Sequence, residues 1–303
     1  MNDGSVDVLM ITHRRAEYVR RSLPRLLESA GDRTRIWLWH NGEDQETLDA
    51  VSQYSQHPAV FATHHSSVNV GIRTPTNWMW SQAKGEFISK VDDDCLVDLD
   101  WIEGIRRVHS SSTKTGVIGS WRFLEEDFCP DFAMAKVQRF DGGERVLRNH
   151  WVQGSGYLAR RSLIDEVGLL RNDESFPDWC LRVARAGHLN GWCFPFVHEE
   201  HMDDPRSLYT MFTSQQRFSE YRPLHARMVG IERLEDWKLE QHREALRVQM
   251  APIYICDYAS RTGRLISKFD SVRRLTANPE GRREAWRRIR RRLRVLRGSV
   301  ARK

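Results

Sequence analysis

Several features that would define whole classes of protein are missing from this 303-residue sequence. No apolar run approaches the ~20 residues that a membrane-spanning helix needs. The acidic opening MNDGSVDVLM contains no long apolar segment, so we expect no signal peptide. The five cysteines are scattered and never form a C-x-x-C pair. This argues against a disulfide framework or a zinc ribbon, and it favours a reducing cytoplasmic location.

The body of the chain also lacks an excess of positive charge, although the net charge of the whole chain is +6. From Glu280 onward there are eleven Arg or Lys and two Glu, a net charge of +9. The preceding residues carry 36 basic and 39 acidic groups, a net charge of −3. The basic character therefore belongs to a tail, and by itself it does not indicate nucleic-acid binding.

Short β-branched runs alternate with segments of helical spacing through the first 120 residues. Strands are predicted at 6–12, 35–40, 59–65, 86–91 and 116–121, and helices at 15–30, 43–54, 74–84 and 100–108. This alternation predicts a mostly parallel α/β sheet flanked by helices. Further along, the pattern predicts a hairpin around 141–143, a turn and then a helix within 154–168, a helix at 178–187, a strand within 189–201 and mostly helix over 207–260.

Polar segments follow four of these predicted elements. They are Thr12-His13-Arg14, Asn41-Gly42, Asn69-Val70-Gly71 and Asp92-Asp93-Asp94. Ligands of parallel sheets bind beyond the carboxyl ends of the strands. We therefore expect these segments to converge on one site.

The acidic triplet at residues 92–94 follows an apolar strand directly. Adjacent carboxylates repel unless a cation neutralises them, and Mg²⁺ or Mn²⁺ prefers oxygen ligands completed by phosphate oxygens. Side chains alternate along a strand, so Asp92 and Asp94 are expected to share a face. The alternative is a solvated acidic turn that caps the helix near Asp100.

The segments VDVLMITHRR, RIWLWHNG, NVGIRTPTNWMWSQAKGEFISKVDDDC and GSGYLARRSLIDEVG together resemble glycosyltransferase family 2 over about residues 5–200. The resemblance implies a GT-A-type, Rossmann-like, mostly parallel sheet flanked by helices, with a helical C-terminal extension. It divides the chain into a glycosyltransferase domain at 1–205, an extension at 206–279 and a basic tail at 280–303. Within the domain, residues 1–120 would hold the nucleotide sugar and 121–205 the acceptor.

The same resemblance implies site residues. Those matching the donor-binding segments are Thr12, Arg14, Glu17, Asn41, Asn69, Gly71, Asn77, Asp92 and Asp93. The pair Asp92 and Asp94 matches the family's D-x-D motif, with Asp94 on the metal and Asp92 on the sugar, ribose or metal side. Arg14 or Arg73 can pair with phosphate.

An inverting sugar transfer needs a carboxylate that takes the proton of the acceptor hydroxyl. By resemblance this acid precedes a helix, which indicates Asp178, with Asp173 or Glu174 as alternatives. A helix cap is the structural alternative for Asp178. The segment of Trp151, Gln153 and the glycines at 154–156 matches the acceptor side.

A second metal contact is predicted in the polar segment that follows the last strand. Either His198 or His201 can supply an imidazole to the metal, and a solvated loop is the alternative. The letters H-E-E-H are one residue short of the H-E-x-x-H zinc signature and lie in no predicted helix.

The basic tail has the spacing of an amphipathic helix, with Trp286, Ile289, Leu293 and Leu296 recurring among arginines. It can contact an anionic membrane, a protein partner or its own acidic body, or remain solvated. We expect no nucleic-acid partner, because no RNA-binding module or stacking pattern is present.

The resemblance and these features together imply a Mn²⁺- or Mg²⁺-dependent glycosyltransferase that uses a nucleotide-diphosphate sugar and lies in the cytoplasm or on the inner face of the membrane. The acceptor would be a glycan, a lipid-linked molecule or a small molecule, as in cell-surface polysaccharide biosynthesis. Two alternatives remain. One is a non-catalytic sugar-binding protein of the same fold. The other is a nucleotidyltransferase, although the sequence has no glycine-rich, lysine-bearing loop.

Overall fold

The computed structural model describes residues 4–251 and Leu265. Its strands are β1 (Val6–Thr12), β2 (Thr34–Asn41), β3 (Val60–Ser66), β4 (Phe87–Asp92), β5 (Cys95–Val97), β6 (Thr115–Gly119), β7 (Val137–Arg139), β8 (Arg145–Arg148), β9 (Tyr157–Arg160), β10 (Leu189–Phe194) and β11 (Glu199–His201). Its α-helices are α1 (Ala16–Glu28), α2 (Gln45–Ser52), α3 (Arg73–Gln82), α4 (Trp101–Ser111), α5 (Pro130–Ala133), α6 (Ser162–Val167), α7 (Phe176–Arg185), α8 (Gln215–Tyr221), α9 (Leu224–Met228) and α10 (Leu234–Met250). Short 3₁₀ turns lie at Glu125–Asp127 and Met134–Lys136.

In the described part of the chain, a nine-stranded sheet has the order β3-β2-β1-β4-β9-β6-β10-β8-β7. The four strands β3, β2, β1 and β4 are mutually parallel. The strands β6, β7 and β10 run in the same direction, whereas β8 and β9 run the opposite way. The short strands β5 and β11 form a separate antiparallel ribbon.

Helices cover both faces of the sheet and create two apolar layers. One layer packs α1, α2 and α4 against β1, β2 and β4. The other packs α3, α6 and α7 against the opposite face and includes Ala245 and Val248 of α10. Strand β1, VDVLMIT, is buried at every position because helices cover both faces of the sheet. Its sequence is mostly apolar for the same reason.

The C-terminal extension contributes to the folded body. A third apolar cluster joins Tyr18 of α1 to Met202, Met211, Phe218 and Trp237. The extension therefore packs against the first helix and against the segment after β11. The described cysteines, Cys95, Cys129, Cys180 and Cys193, are free thiols. The predicted tail helix and Cys256 lie outside the described residues.

All nine strands and helices predicted in the first 120 residues are present, with boundaries that differ by at most three residues. Four expectations need correction. The segment 154–168 contains strand β9 before its helix, and β5 and β11 were not predicted. The region from 207 also begins with a loop that lasts until α8. Finally, β4 ends at Asp92, and residues 93 and 94 lie in a turn, so strand alternation does not relate Asp92 to Asp94.

Candidate functional site

The carboxyl ends of β1, β2 and β4 meet around His13. Its backbone N–H donates to Oδ2 of Asp93 at 3.2 Å, and its Nδ1 donates to the carbonyl of Asn41 at 2.7 Å. The Asn41 side chain in turn donates to the carbonyl of Gly71 at 3.0 Å. The four polar segments identified in the sequence are therefore brought together at one edge of the sheet.

The amide of Asn41 is engaged within the protein. Its Oδ1 accepts hydrogen bonds from Trp39 Nε1 at 2.9 Å and from the N–H of Val70 at 3.3 Å. Gly71, which receives its Nδ2 bond, has φ +76°, a conformation that favours glycine. Asn41 thus anchors the 69–71 loop beside the site, and its contact with a nucleotide stays a prediction.

The remaining residues predicted to bind the donor, Thr12, Arg14, Glu17 and Asn77, differ in burial and in their contacts. Thr12 is buried, and its Oγ1 lies 2.9 Å from Nδ1 of His40, whose pKa is lowered by burial and by His65. Arg14 is exposed and, with His13, Gly42 and Asn69, lines a cleft of about 450 Å³. Two others contact residues distant in the sequence: exposed Glu17 lies 3.4 Å from Arg217, and Asn77 exchanges two hydrogen bonds with the backbone of Leu170.

The three acids of the triplet have different partners. Asp92 pairs with the buried Lys90, and its N–H donates to Ser155 Oγ at 3.0 Å. Asp93 and Asp94 both face the guanidinium of Arg15, at 2.8 Å and 3.4 Å. The turn after β4 therefore directs Asp93 and Asp94, and not Asp92, toward the first helix.

Asp94, His201 and Asp203 form a group of potential metal ligands, with one ligand atom from each lying within 4.8 Å of the others. His201 reaches this position because β11 pairs with β5, which sets it opposite Cys95, the neighbour of Asp94. Asp203 is held by the extension, since Trp237 Nε1 donates to its carbonyl at 2.7 Å. Three separate stretches of chain thus supply the group.

Burial and neighbouring charges shift the pKa values of the three carboxyls that surround Arg15. Burial raises the pKa of Asp93 to about 7 against the opposing effect of Arg15. Burial also raises the pKa of Asp203, with a further contribution from Asp94. For Asp94, burial acts upward, but Arg15 and His201 outweigh it and lower the pKa. Because three carboxylates share one guanidinium, protons or a further cation must balance them.

His201 is suited to act as a ligand. Its pKa is lowered by burial and by Arg122, so the ring is neutral at neutral pH and can offer a nitrogen lone pair. His198 lies elsewhere: its N–H donates to Asp98 at 3.0 Å, and it lines a separate cavity of about 600 Å³ with Arg21 and Tyr209. Of the two predicted histidines, His201 lies next to the carboxylates of Asp94 and Asp203, and His198 does not.

The predicted acceptor segment lies beside the triplet. A Cβ on Gly156 would meet Oε2 of Glu199 at 1.7 Å, so the backbone here approaches a buried carboxyl closely. Burial raises the pKa of Glu199 to about 7. Gln153 is engaged internally and accepts a hydrogen bond from Trp192 at 2.6 Å. Ser155, in the same segment, accepts the N–H of Asp92 at 3.0 Å, so the segment contacts the triplet.

The candidate bases lie at the start of α7. Asp178 is exposed and completes a capping box, accepting hydrogen bonds from the N–H and hydroxyl of Ser175 at 3.0 and 2.6 Å. Glu174 is buried in a two-bond ion pair with Arg182 at 2.6 and 2.7 Å. Arg73, predicted as a phosphate ligand, donates to the Glu174 carbonyl. Asp173 is exposed.

Sequence reasoning missed two residues of the site. Arg15 follows the segment singled out after β1, and Asp203 lies two residues after His201 in the same polar run. The signal for Asp203 was this second acidic pair, Asp203-Asp204, beyond the last strand. Arg15 carried no signal, because arginines are frequent along this chain and its position depends on the fold.

Comparisons with known proteins agree with this architecture. Residues 7–165, more than half of the chain, match the family described as Glycosyl transferase family 2. The mannosyltransferase PcManGT from Pyrobaculum calidifontis, in complex with GDP-Man and Mn²⁺, is similar in structure, with a TM-score of 0.53 and 15% identity over 90% of this chain and 87% of that chain. TarS 1-349 from S. aureus, in complex with UDP-GlcNAc, is also similar in structure, with a TM-score of 0.51 and 12% identity over 91% of this chain and 82% of that chain. No curated protein matches the sequence.

At sequence identities of 12–15%, the similarity to these solved structures establishes the fold of the chain and no more. The expected α/β architecture, a large sheet with most strands in one direction and helices on both faces, is confirmed. In the part of the chain that the structure describes, no helix combines the length and apolar character needed to cross a bilayer.

Proposed function

The chain belongs to glycosyl transferase family 2, and on that premise we propose that it transfers a sugar from a nucleotide-diphosphate donor to an acceptor hydroxyl with inversion, using a divalent cation. The family makes the chain a glycosyltransferase. The metal dependence rests on one observation, the group formed by Asp94, His201 and Asp203 at the carboxyl edge of the parallel strands. PcManGT, which has the same fold, is described with GDP-Man and Mn²⁺, and this supports the proposal.

The residues present fit a divalent cation. Two carboxylates and a neutral imidazole are a donor set that suits Mn²⁺, and Mg²⁺ is the alternative with its preference for oxygen. Asp93, Asp94 and Asp203 share the guanidinium of Arg15, so three carboxylates face one positive charge and a further cation would balance them. A bound cation would stabilise the negative charge that develops on the leaving diphosphate.

The chain's own residues would divide the remaining tasks by position. The cleft lined by His13, Arg14 and Asn69 lies beside the metal group and would hold the nucleotide, with Arg14 available to phosphate. Asp92, adjacent to the Gly154–Gly156 segment through Ser155, would face the donor sugar.

Asp178 remains our proposed base. The start of α7 lies against two segments of the site, because Arg73 donates to the Glu174 carbonyl and Phe176 packs 3.7 Å from a Cβ position on Gly154. A carboxylate here can accept a proton while its other contacts cap the helix. Asp173 and Glu174 remain alternatives, although the ion pair with Arg182 occupies Glu174.

The donor and the metal are tested together by thermal shift and by release of nucleoside diphosphate. UDP-, GDP- and dTDP-sugars are screened with Mn²⁺, with Mg²⁺ and with EDTA. We expect one donor class to raise the melting temperature in the presence of metal, because a ligand that binds the native state stabilises it. We also expect slow metal-dependent donor hydrolysis or transfer.

The variant Asp94→Asn should abolish the metal-dependent shift and reduce turnover by at least ~10²-fold, since it removes a charged ligand. Asp141→Asn, an equal change at an exposed hairpin position, is the matched control and should behave like the wild type. Donor binding and turnover in EDTA equal to those in Mn²⁺ would disprove metal dependence. Tight donor binding without turnover on any acceptor would favour a binding protein.

The acceptor and the location are proposals too. We propose a glycan or lipid-linked acceptor in cell-surface polysaccharide biosynthesis, with the enzyme in the cytoplasm. The net charge of +9 from Glu280 onward supports contact with an anionic membrane surface. Sedimentation with anionic and neutral vesicles, with and without residues 280–303, tests this contact.

A further inference from the structure

One guanidinium lies among three carboxylates of the site. Nη1 of Arg15 is 2.9 Å from both carboxylate oxygens of Asp203, and Nη2 is 2.8 Å from Oδ1 of Asp93. Both nitrogens lie 3.4 Å from Oδ2 of Asp94. Arg15 therefore contacts both carboxylate oxygens of Asp203 and one of Asp94, which are two of the proposed metal ligands.

The backbone is strained where it delivers this side chain. Arg14 and Arg15 have φ values of 55° and 62°, and they are the non-glycine residues with positive φ in the described part of the chain. Left-handed conformations are unfavourable for residues with a Cβ, and they persist where the surroundings require them. Arg15 also starts α1 without a side-chain cap. The turn between β1 and α1 thus adopts a costly conformation that directs Arg15 toward the acids.

The first turn of α1 and the Asp203 loop are fixed to each other. Tyr18 lies under the guanidinium, 5.3 Å from its carbon to the ring centroid, and its hydroxyl donates to the Met202 carbonyl at 2.8 Å. The same hydroxyl accepts the N–H of Met211 at 2.9 Å. Arg15 and Asp203 are therefore held in register by contacts that do not depend on their own ion pair.

We infer that Arg15 is a resident counter-ion of the metal site, which gathers Asp94 and Asp203 before the divalent cation binds and competes with that cation for their oxygens. The inference rests on the proposed function, because it takes Asp94 and Asp203 as ligands. Carboxylates that are close together repel, and a guanidinium among them relieves the repulsion. A divalent cation bound to the same oxygens lies near a positive charge and is repelled by it.

This role predicts opposite effects on stability and on metal affinity. Loss of the guanidinium should destabilise the metal-free protein, because the acids lose their counter-charge. It should also strengthen Mn²⁺ binding, because the competitor is gone. A purely structural tie predicts that both properties weaken together. The sign of the change in Mn²⁺ affinity therefore separates the two accounts.

The experiment measures the dissociation constant of Mn²⁺ alone by calorimetry, and melting in EDTA and in Mn²⁺, for the wild type and Arg15→Gln. We expect Arg15→Gln to melt lower in EDTA, to bind Mn²⁺ at least ~10-fold more tightly and to show a larger Mn²⁺-induced shift in melting temperature. Arg15→Lys keeps the charge but loses the two nitrogens that reach Asp203 and Asp93 together, so its dissociation constant should lie between those of the wild type and Arg15→Gln.

Arg35→Gln is the matched control. Arg35 makes a two-bond ion pair with buried Asp7, at 2.7 and 2.8 Å, in the first half of β1 and away from its carboxyl end. Its loss should lower the melting temperature and leave Mn²⁺ binding unchanged. If Arg15→Gln is unfolded in EDTA, Mn²⁺ should restore the native circular dichroism spectrum, and failure to restore it overturns the inference.

The outcomes distinguish this inference from the proposed function. Mn²⁺ binding that is present in the wild type and equal or weaker in folded Arg15→Gln overturns the counter-ion role alone. An absence of Mn²⁺ binding from every variant overturns the metal site and the counter-ion role together. Tighter binding in Arg15→Gln supports both.

Discussion

At the scale of single residues, the site depends on close approaches that no sequence pattern records. A side chain on Gly156 would collide with two buried groups, at 1.7 Å from Glu199 and 2.1 Å from Ser120, and Gly156 has φ +58°. Gly156→Ala should therefore destabilise the protein by about 3 kcal/mol or more, through overpacking and backbone strain together. Urea unfolding measures the change.

Gly230→Ala is the control for that substitution. Gly230 has φ +71° with no atom within 4 Å of its Cβ position, so the change there carries backbone strain alone. We expect a cost of about 1 kcal/mol. An equal loss of unfolding free energy at the two glycines would show that the Glu199 side chain moves aside. The close approach at Gly156 would then not contribute to stability.

A second prediction at this scale concerns Asp178. Asp178→Asn keeps an oxygen for the N–H of Ser175 but removes the basic carboxylate. If Asp178 is the base, turnover should fall by ~10²–10⁴-fold with donor affinity and melting temperature almost unchanged. Asp173→Asn and Glu174→Gln, measured in parallel, test the alternatives. Full turnover in Asp178→Asn would assign this residue to the helix cap alone.

The sequence predicted some site residues and missed others for physical reasons. The Asp92–Asp94 triplet stands out because three acids follow a buried strand, and this needs no knowledge of the fold. Arg15 and Asp203 are 188 positions apart and meet only through tertiary packing. Asn41 was identified by its position at a strand end, but its internal hydrogen bonds depend on the backbone of the 69–71 loop.

At the scale of elements, long buried strands were predictable and short ones were not. Strands β1, β2 and β4 are apolar runs covered on both faces, so their composition alone indicates them. The ribbon of β5 and β11 has three residues in each strand, and GluGluHis resembles a polar loop. This ribbon positions His201, so the part of the site that was hardest to predict depends on the shortest strands.

The helix α10 also contacts the proposed metal site, because its residue Trp237 donates a hydrogen bond to Asp203. Its indole N–H holds the Asp203 carbonyl at 2.7 Å. Trp237→Phe should therefore reduce Mn²⁺ affinity by about 5–10-fold as the loop loosens, while stability falls by ~1–3 kcal/mol. Calorimetric titration with Mn²⁺ and urea unfolding measure the two effects.

Trp101→Phe is the matched change in the layer formed by α1, α2 and α4. Trp101 is fully buried, and its indole donates to Ser29 at 3.1 Å. We expect a similar loss of stability and unchanged Mn²⁺ affinity. If the two variants weaken Mn²⁺ binding equally, the extension acts on stability in general and has no particular role in holding Asp203.

At the scale of the whole molecule, a buried histidine links stability to pH. His109 joins α4 to β9, because its Nε2 donates to the Leu158 carbonyl at 3.1 Å. Burial, assisted by Arg160, lowers its pKa to about 3. Since the unfolded chain binds a proton near pH 6.5 and the native state does not, stability should fall as the pH decreases below 6.5.

The size of this effect follows from the shift. Between pH 7 and pH 5 the histidine should contribute a loss of about 2 kcal/mol, at 1.36 kcal/mol for each pH unit below 6.5. His109→Gln lacks this pH-dependent loss. The difference in free energy of unfolding between the wild type and His109→Gln should therefore be about 2 kcal/mol smaller at pH 5 than at pH 7. His57→Gln, at an exposed position, should follow the wild type. A deficit for His109→Gln that is constant with pH would contradict the account.

We propose that Asp94, His201 and Asp203 hold the divalent cation that meets the donor diphosphate. Anomalous diffraction at the manganese edge, from crystals grown with Mn²⁺ and the donor's nucleoside diphosphate, tests it most directly. We expect a single strong peak within coordination distance of these three side chains and of the diphosphate oxygens. A manganese peak elsewhere, or a diphosphate bound away from this edge of the sheet, would contradict it.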